Sequence, residues 1–358
     1  MGLQIVAVPH PGRPGTDPPR LLAGFVEASR RHLLSVLGDD DLADSAQSLT
    51  VAYADQSFRR TLLLVAVDSD QVLGGIWLTM PLRDNTTLAE AGVALDPGAD
   101  PAEVLPLLWE HARPVLVADG RRTAQVWMTH AVHGAGEVMV PRTGAGRLSG
   151  DRAATTLRDL GFVLEQVERH SAVEMARALA LAEDAGPRAA DVAGTAYRAV
   201  SWVGSTPPEH LEAMAGLMAR MSVDVPTGDL ELEPEAWDAE RVAHGDRKVE
   251  AMGRVRVTTV AQQVASGSLV AYTTIDVPTD KPHVAYQEDT LVHGEHRGHR
   301  LGMLVKAVNL GVLAAAAPQV ARIHTWNAGE NAHMLAINEA LGFRERSVEG
   351  GWQLTALT

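Results

Sequence analysis

The segment HGEHRGHRLGMLVK, residues 293–306, holds three histidines, two arginines and three glycines within fourteen positions. Such residues could bind a metal through imidazoles, a nucleic acid through basic side chains, or a phosphate through backbone amides and arginines. His293, His296 and His299 are spaced by three in a glycine-containing loop, which matches no usual metal-ligand pattern. No Lys-Ser/Thr pair follows Gly302, which excludes a nucleotide P-loop. We therefore expect a phosphate site and no bound metal.

The composition of the chain restricts its possible functions. The 358 residues carry a formal charge of −14 and include no cysteine. An acidic surface repels a phosphate backbone, so we expect no nucleic-acid partner. The lack of cysteine excludes disulfides, thiolate metal sites and a cysteine nucleophile, and it fits a cytoplasmic protein. The length favours two domains.

Neither a signal peptide nor a membrane span is indicated. The first residues, MGLQIVAVPHPG, contain a short apolar run without a basic flank, which predicts a first strand. The longest helical apolar stretch, LGVLAAAAPQV, is too short to cross a bilayer and contains Pro318. We expect no insertion into a membrane.

The residues before the loop form a strand pattern, HVAYQEDTLV, residues 283–292. Regular alternation places Tyr286 and Glu288 on one face and Asp289 on the other, unless a bulge resets it. After the loop, apolar residues recur at helical spacing from Leu301. The loop is therefore expected to lead into the first turn of a helix.

A strand, a glycine-containing turn and a helix start together form an anion site. They present unpaired N–H groups and the positive end of the helix dipole at one point. Gly298 and Gly302 leave room for a ligand to approach the backbone, and Arg297 and Arg300 would add charge-assisted hydrogen bonds. The arrangement suits a pyrophosphate.

A weak internal repeat organises the chain. LRDLGFVLEQ, residues 157–166, resembles INEALGFRER, residues 337–346, and a tryptophan-containing strand pattern precedes each. Further upstream, TLAEAGVAL and VAYQEDTLV are each followed by a loop and an apolar helix pattern. Two similar halves are predicted, joined within LAEDAGPRAADVAGTAYRAV, where Ala, Gly, Asp and Pro accumulate.

With its neighbour RIHTWNAGENAHMLAINEALGF, the segment EDTLVHGEHRGHRLGMLVKAVNL resembles the acyl-coenzyme A binding core of the GNAT N-acetyltransferase superfamily. The loop signature of that superfamily is Arg/Gln-x-x-Gly-x-Gly/Ala, and Arg300 stands where the central glycine is expected. The later signature matches through Asn327, Asn331, Gly342 and Phe343. Two such halves in one chain are similar to the tandem acetyltransferases of the mycothiol synthase type.

The resemblance implies a fold and a domain plan. The fold class would be α/β with a mixed sheet, in two tandem GNAT-like domains, each a mostly antiparallel, splayed sheet flanked by helices. Residues 1–183 would form a degenerate domain without bound coenzyme, and residues 195–358 the catalytic domain that binds acyl-coenzyme A. Acetyl-coenzyme A, or another acyl-coenzyme A, would be the co-substrate.

The resemblance also implies binding residues. The backbone of Leu291, Val292 and His293 would pair with the pantetheine arm. The pyrophosphate would be held by the loop residues Arg297, Gly298, His299, Arg300, Leu301 and Gly302. Asn327 and Asn331 would complete the coenzyme site.

The corresponding loop of the first half, LDPGADPAEV, opposes phosphate binding. Asp96, Asp100 and Glu103 place like charges there. Asp100 as cap, Pro101 at the first helical position and Glu103 three residues after the cap also form a self-sufficient helix start.

The implied reaction is acyl transfer to a primary amine of a small molecule. Glu288 matches the place where many GNAT relatives keep a general base, although a strand carboxylate paired with an arginine would look the same. The usual acid, a tyrosine seven residues after the helix-leading asparagine, is replaced by Asn338. Tyr286 is an alternative acid, although packing is the commoner role of such a tyrosine.

The sequence is also compatible with two different functions. Because the usual acid is missing, the chain could be a non-catalytic acyl-coenzyme A binding or scaffolding protein, and acetylation of a mycothiol-type precursor is a second candidate reaction. Trp326 and His324 could line an acceptor pocket or pack in the core. The stripe Leu211, Met214, Leu217, Met218 and Met221 is predicted to face the core.

Overall fold

The computed structural model describes residues 2–11, 17–134 and 136–357. The described part of the first half contains the strands β1 (Gln4–Ala7), β2 (Arg59–Asp68), β3 (Gln71–Pro81), β4 (Leu88–Leu95), β5 (Thr123–Ala131), β6 (Val138–Met139), β7 (Leu148–Ser149) and β8 (Val163–Glu174). Its helices are α1 (Arg20–Leu37), α2 (Ala46–Ala54), α3 (Pro101–Ala118) and α4 (Arg152–Asp159). The first predicted strand is confirmed as β1.

The second half follows the long helix α5 (Met175–Ala193). Its strands are β9 (Tyr197–Val203), β10 (Arg254–Gln263), β11 (Leu269–Pro278), β12 (Val284–Val292), β13 (Arg322–Ala328) and β14 (Arg344–Leu354). Its helices are α6 (Leu211–Asp224), α7 (Ala239–Ala251), α8 (Leu301–Ala316) and α9 (Ala332–Ala340).

The internal repeat is confirmed by the order of elements. Each half runs strand, two helices, three strands, helix, strand, helix, strand, and the first half adds the short β6–β7 hairpin. Both Leu-Gly-Phe glycines have left-handed backbones, with φ of 94° at Gly161 and 90° at Gly342. A glycine suits such a position because a Cβ would strain it, and it ends the preceding helix as expected.

The connection between the halves is helical. The sequence indicated an irregular joint around residues 181–200, but α5 continues through Pro187 to Ala193 and a 3-10 turn follows. The alanine-rich sequence explains the helix, because alanine has the highest helix propensity. The predicted domain limits, 1–183 and 195–358, stay a prediction.

The two halves share one sheet and exchange their last strands. The order of the twelve strands is β1-β2-β3-β4-β5-β14-β8-β13-β12-β11-β10-β9. Strand β14, from the end of the chain, pairs with β5 of the first half, and β8 pairs with β13 of the second half. Each half is therefore completed by a strand of the other.

A buried hydrogen-bond chain crosses this junction. Asp41, between α1 and α2, lies 3.1 Å from His324 on β13, whose other ring nitrogen lies 3.0 Å from His170 on β8. His170 in turn lies 2.7 Å from the hydroxyl of Ser347 on β14. The hydrogen bond with His324 is the main reason why the pKa of Asp41 is well below its usual range. The network joins β13, β8 and β14 to the loop between α1 and α2, because each buried polar group needs its partner.

The sheet opens within each half. Strand β12 is parallel to β13, but the pairs run only from Val284–Arg322 to Gln287–Thr325, and the two strands then diverge. Strands β4 and β5 are also parallel. No helix of the described chain is long and apolar enough to cross a membrane.

Candidate functional site

A cavity of about 730 Å³ opens beside the loop at residues 293–302. Its walls come from the end of β12, the start of α8, the helix α9 and the residues after α6. Arg297, Gly298, Arg300 and Gly302 line one end, and Asn331 lies further along. A volume of this size is in the range of small-molecule and cofactor sites. The predicted phosphate loop therefore borders a real cavity.

The helix start at this cavity is free to bind an anion. Helix α8 begins at Leu301 as predicted, it has no side-chain cap, and its first turn contains no acidic residue. In the first half, Asp100 caps α3 by accepting from the amide of Ala102, and Arg152 pairs with the same carboxylate. The cap predicted for the first half is thus confirmed. The first amides of α3 are therefore capped by a side chain, whereas those of the equivalent helix α8 are left without a side-chain cap.

The backbone of Arg300 explains why the GNAT signature has glycine at this place. Its φ is 54° and its ψ 24°, in the left-handed region, and Gly298 two residues earlier has φ of 87°. A left-handed backbone costs a non-glycine residue about 1 kcal/mol. The arginine keeps this conformation at a cost, and its side chain lines the cavity.

Arg300→Gly is expected to raise the melting temperature of the free protein by a few degrees, because it relieves about 1 kcal/mol of backbone strain. If the cavity binds the acyl-coenzyme A that the resemblance implies, the same change should raise the KM for it about tenfold, because a charge-assisted contact would be lost. Arg300→Ala is the matched control, since it removes the side chain but keeps the strain. Equal melting temperatures for the two variants would contradict the strain argument.

Arg297 is held at the rim of the cavity. Its Nε donates to the carbonyl of Val292 at 3.3 Å, and its guanidinium lies 3.4 Å from the carboxylate of Asp224 at the end of α6. More than half of the Arg297 side chain is exposed, at 56%. It can therefore turn toward a phosphate in the cavity, and Asp224, which is only 10% exposed, would keep its ion pair with Arg220 at 2.8 Å.

The predicted pairing of the His293 backbone with a pantetheine arm is wrong. The N–H of His293 donates to Val270 on β11 at 2.8 Å, and its carbonyl accepts from His296 at 2.8 Å. Neither group is available to a pantetheine arm. Leu291 and Val292 line the cavity beyond the last β12–β13 pair, and successive backbone groups alternate sides, so the carbonyl of Val292 faces the open side.

A smaller pocket of about 190 Å³ continues from the cavity, and Thr290, Asn331 and Met334 line both. A β-bulge shapes it: Thr290 is opposite Thr273 and Gln287 opposite Ile275, so the two residues between them on β12 face a single residue of β11. Those two residues, Glu288 and Asp289, both line the pocket. The alternation that would have turned Asp289 away is reset by the bulge.

Glu288 has the electrostatics of a proton acceptor. Burial, together with the nearby carboxylates of Asp276 and Asp289, raises its pKa to about 8. Arg254 is its nearest cation at 3.9 Å, but Arg254 is bound more closely, at 2.6 Å, by Asp44. Although 38% of the Glu288 side chain is open, that surface faces the pocket, where surrounding protein atoms limit solvation. A carboxylate of this kind can accept a proton near neutral pH.

A second carboxylate in the pocket was missed by sequence reasoning. Glu168 lies on the exchanged strand β8, opposite Ala328 of β13 and Glu349 of β14. Burial, with the charges of Glu349 and Glu330, raises its pKa to about 8. It belongs to the first half of the chain. Only the strand exchange brings it to this pocket.

Tyr286, the alternative acid, and Asn338, which stands in place of the usual acid, both form hydrogen bonds elsewhere. Tyr286 is buried, and its hydroxyl donates to the carbonyl of Asp41 at 2.5 Å. Asn338 is also buried, and its amide donates to Asn327 at 2.6 Å. Neither lines the two pockets, whereas Asn327 lines the smaller one. Asn331 is the side-chain cap of α9, through its hydrogen bond with Met334.

The residues considered for the acceptor pocket lie in different environments in the structure. Trp326 lines the smaller pocket and stacks on His170, whereas His324 is fully buried in the junction network. The helical stripe of α6 packs in the core as predicted, with Met214 and Leu217 buried, and Met221 also reaches the pocket.

The histidines of the loop do not act as one group. His293, Glu295 and His296 place ligand atoms within 4.8 Å of one another, and His299 is not in that set. Nδ1 of His296 lies 3.0 Å from the hydroxyl of Tyr197. His299 contacts the ring of the same tyrosine. Of the three histidines considered for a metal, the structure brings two together.

Comparison with solved structures supports the fold of the chain. No family model matches the chain, and no curated protein matches its sequence. Among solved structures, a tandem GNAT protein from the clavulanic acid biosynthesis pathway superposes with a TM-score of 0.72, at 21% identity over 99% of both chains. A GCN5-related N-acetyltransferase from Sphaerobacter thermophilus gives a TM-score of 0.61, at 11% identity over 98% of this chain and 96% of its own.

A glucosamine N-acetyltransferase region in a fungal multi-domain β-N-acetylglucosaminidase gives a TM-score of 0.58, at 10% identity over 99% of this chain and 38% of that protein. Identities this low establish the fold and not the reaction. The full-length superposition agrees with the repeat, the mixed sheet and the flanking helices found above. The predicted resemblance is confirmed: the chain has the tandem GNAT fold.

Proposed function

We propose that the protein is an acyl-coenzyme A dependent N-acyltransferase. It transfers an acyl group, for which we propose acetyl, to a primary amine of a small molecule. The observation that carries this proposal is the continuity of the two pockets. One end has arginines and an uncapped helix start, which suit a pyrophosphate, and the other has a carboxylate with a raised pKa. A coenzyme extended along the cavity would present its thioester where the pockets meet.

In this proposal the residues of the chain have separate tasks. Arg297 and Arg300, with the first amides of α8, hold the pyrophosphate. Glu288 takes the proton of the acceptor amine, because only a neutral amine has the lone pair needed for attack. The backbone N–H of Val292, on the open side of β12, stabilises the oxyanion.

The first half has a supporting role in this proposal. Its loop carries Asp96 and Asp100, and its helix start is already capped, so we propose that it binds no coenzyme. It supplies Glu168 to the acceptor pocket instead. The small volume of that pocket, about 190 Å³, favours a small acceptor over a macromolecule. A cytoplasmic location remains a prediction.

The loop assignment is tested by thermal stabilisation. Acetyl-coenzyme A is expected to raise the melting temperature of the parent protein by RT ln(1 + [L]/Kd), and much less that of Arg297→Glu, which places a negative charge beside the pyrophosphate. Arg198→Glu on β9 is the charge-matched control, because it lies outside both pockets. Equal stabilisation of the parent and Arg297→Glu would refute the assignment.

Turnover separates the proposed acyltransferase from a binding protein and from a mycothiol-type enzyme. Release of free thiol is measured with a panel of small primary amines, including the desacetyl amine precursor of mycothiol. A non-catalytic binding protein, which the engaged Asn338 favours, would bind the coenzyme and release no thiol above hydrolysis with any amine. Selective use of the mycothiol precursor would instead establish that reaction.

A further inference from the structure

A buried lysine faces the pocket at a place the reaction can use. Lys306 lies on α8, four residues after Gly302, so both are on the same face of the helix. Gly302 lines the large cavity and Lys306 the smaller pocket. Successive turns of one helix thus pass from the proposed coenzyme cavity to the proposed reaction centre.

Lys306 has no partner within the part of the chain that the structure describes. Its exposure is 2%, and it forms neither a hydrogen bond nor an ion pair there. The titratable groups that share its pocket are Glu288 and Asp289 from β12 and Glu168 from β8. Burial alone accounts for its lowered pKa, about 7, so none of these carboxylates neutralises it. An unpaired buried lysine is costly, which makes a function for it reasonable.

Neither Tyr286 nor the residue at the usual acid position can donate a proton to the departing sulfur. The hydroxyl of Tyr286 is bound by the carbonyl of Asp41, and Asn338 has no acidic proton. Lys306 is the basic residue among the described residues that line the smaller pocket.

We propose that Lys306 is a catalytic residue that donates a proton to the coenzyme A sulfur as the thiol leaves. This inference rests on the proposed function. Glu288 accepts one proton from the acceptor ammonium and releases it to solvent through the pocket, and the neutral amine then forms the C–N bond. As the C–S bond breaks with its electron pair going to sulfur, Lys306 passes one Nζ proton to that sulfur. The second proton of the adduct nitrogen returns to Lys306. One proton is released for each acyl group transferred.

The first test measures proximity without turnover. A nearby ammonium lowers the pKa of a thiol. The thiol of free coenzyme A, bound to excess parent protein, is expected to have a lower pKa than in the complex with Lys306→Met, because a thiolate and an ammonium stabilise each other. The thiolate is read from its ultraviolet absorbance. Methionine has similar length and no charge. Lys306→Met is expected to melt at or above the parent temperature, because a lysine with a lowered pKa destabilises the fold. An unchanged thiol pKa would overturn the proposal.

The second test compares two acyl donors. With acetyl-coenzyme A, Lys306→Met is expected to lower kcat about 100-fold with little change in KM. With 4-nitrophenyl acetate, whose phenolate leaves without a proton at neutral pH, the same variant is expected to stay within about threefold of the parent. Lys248→Met, on α7 and paired with Asp55, is the matched control for loss of a lysine.

The outcomes distinguish the two proposals. Equal losses with both donors, or no loss with acetyl-coenzyme A, would contradict the role of Lys306 and leave the proposed function intact. A parent preference for succinyl-coenzyme A that Lys306→Met abolishes would also contradict it, because the lysine would then bind an acyl carboxylate. No thiol release by the parent protein with any amine would contradict the proposed function itself.

Discussion

Glu288→Gln is expected to lower kcat/KM about 100-fold or more and to remove the rise in activity with pH. The parent activity should increase as pH approaches about 8, because Glu288 accepts a proton only when ionised and its pKa is raised to about 8 by burial and neighbouring carboxylates. Glutamine has the same shape and cannot accept the proton. The measurement is the pH profile of kcat/KM for the parent and the variant.

Stability supplies the control for this substitution. A carboxyl whose pKa is raised on folding contributes stability at low pH and loses it as pH rises through the folded value. Glu288→Gln should therefore melt at or above the parent temperature at pH 8, where the parent carries the unfavourable charge. Glu250→Gln, exposed on α7, controls for the loss of one acid. A variant that keeps the parent profile would exclude Glu288 as the base.

The second large effect concerns the two halves as separate chains. Residues 1–193 and residues 194–358, expressed apart, are each expected to show no cooperative unfolding. The first fragment lacks β14, whose Trp352 and Val348 are buried in the core of the first half. The second lacks β8, whose Val173 packs in the core of the second half. Loss of one buried tryptophan side chain costs about 3–5 kcal/mol, a large share of the 5–15 kcal/mol that stabilises a domain.

Mixing the two fragments is the decisive comparison. The strands lost from each fragment are supplied by the other, so co-expression should restore a cooperative transition, measured by circular dichroism. The full-length protein nicked near residue 193 after folding is the control, since it keeps every strand in place. A fragment that melts cooperatively on its own would contradict the structural role assigned to the exchange.

Much of the fold could be predicted from local sequence. Leu-Gly-Phe marked two helix ends because glycine accepts a left-handed backbone, and Asp100 marked a cap because its carboxylate can accept from the free amides. The start of α8 at Leu301 followed from apolar periodicity. These features depend on residues close together in the chain.

Features that depend on distant parts of the chain could not be predicted in this way. Strands β8 and β14 end similar halves and carry similar patterns, so nothing local indicates which half each joins. The place of Glu168 depends on that choice. The bulge at Glu288 and Asp289 leaves no mark in their alternation. Nothing in the sequence around Lys306 indicates that it lines the pocket, because this depends on how α8 packs against the sheet.

The exchange of strands also determines when the protein can be completed during synthesis on the ribosome. Strand β8 is made before β13 and β14, its two neighbours in the sheet, and β5 waits for β14. Until β14 emerges, the nascent first half exposes two unpaired strand edges, which are templates for aggregation. Synthesis of β14, rather than completion of the first half, is therefore the step at which both halves become protected together.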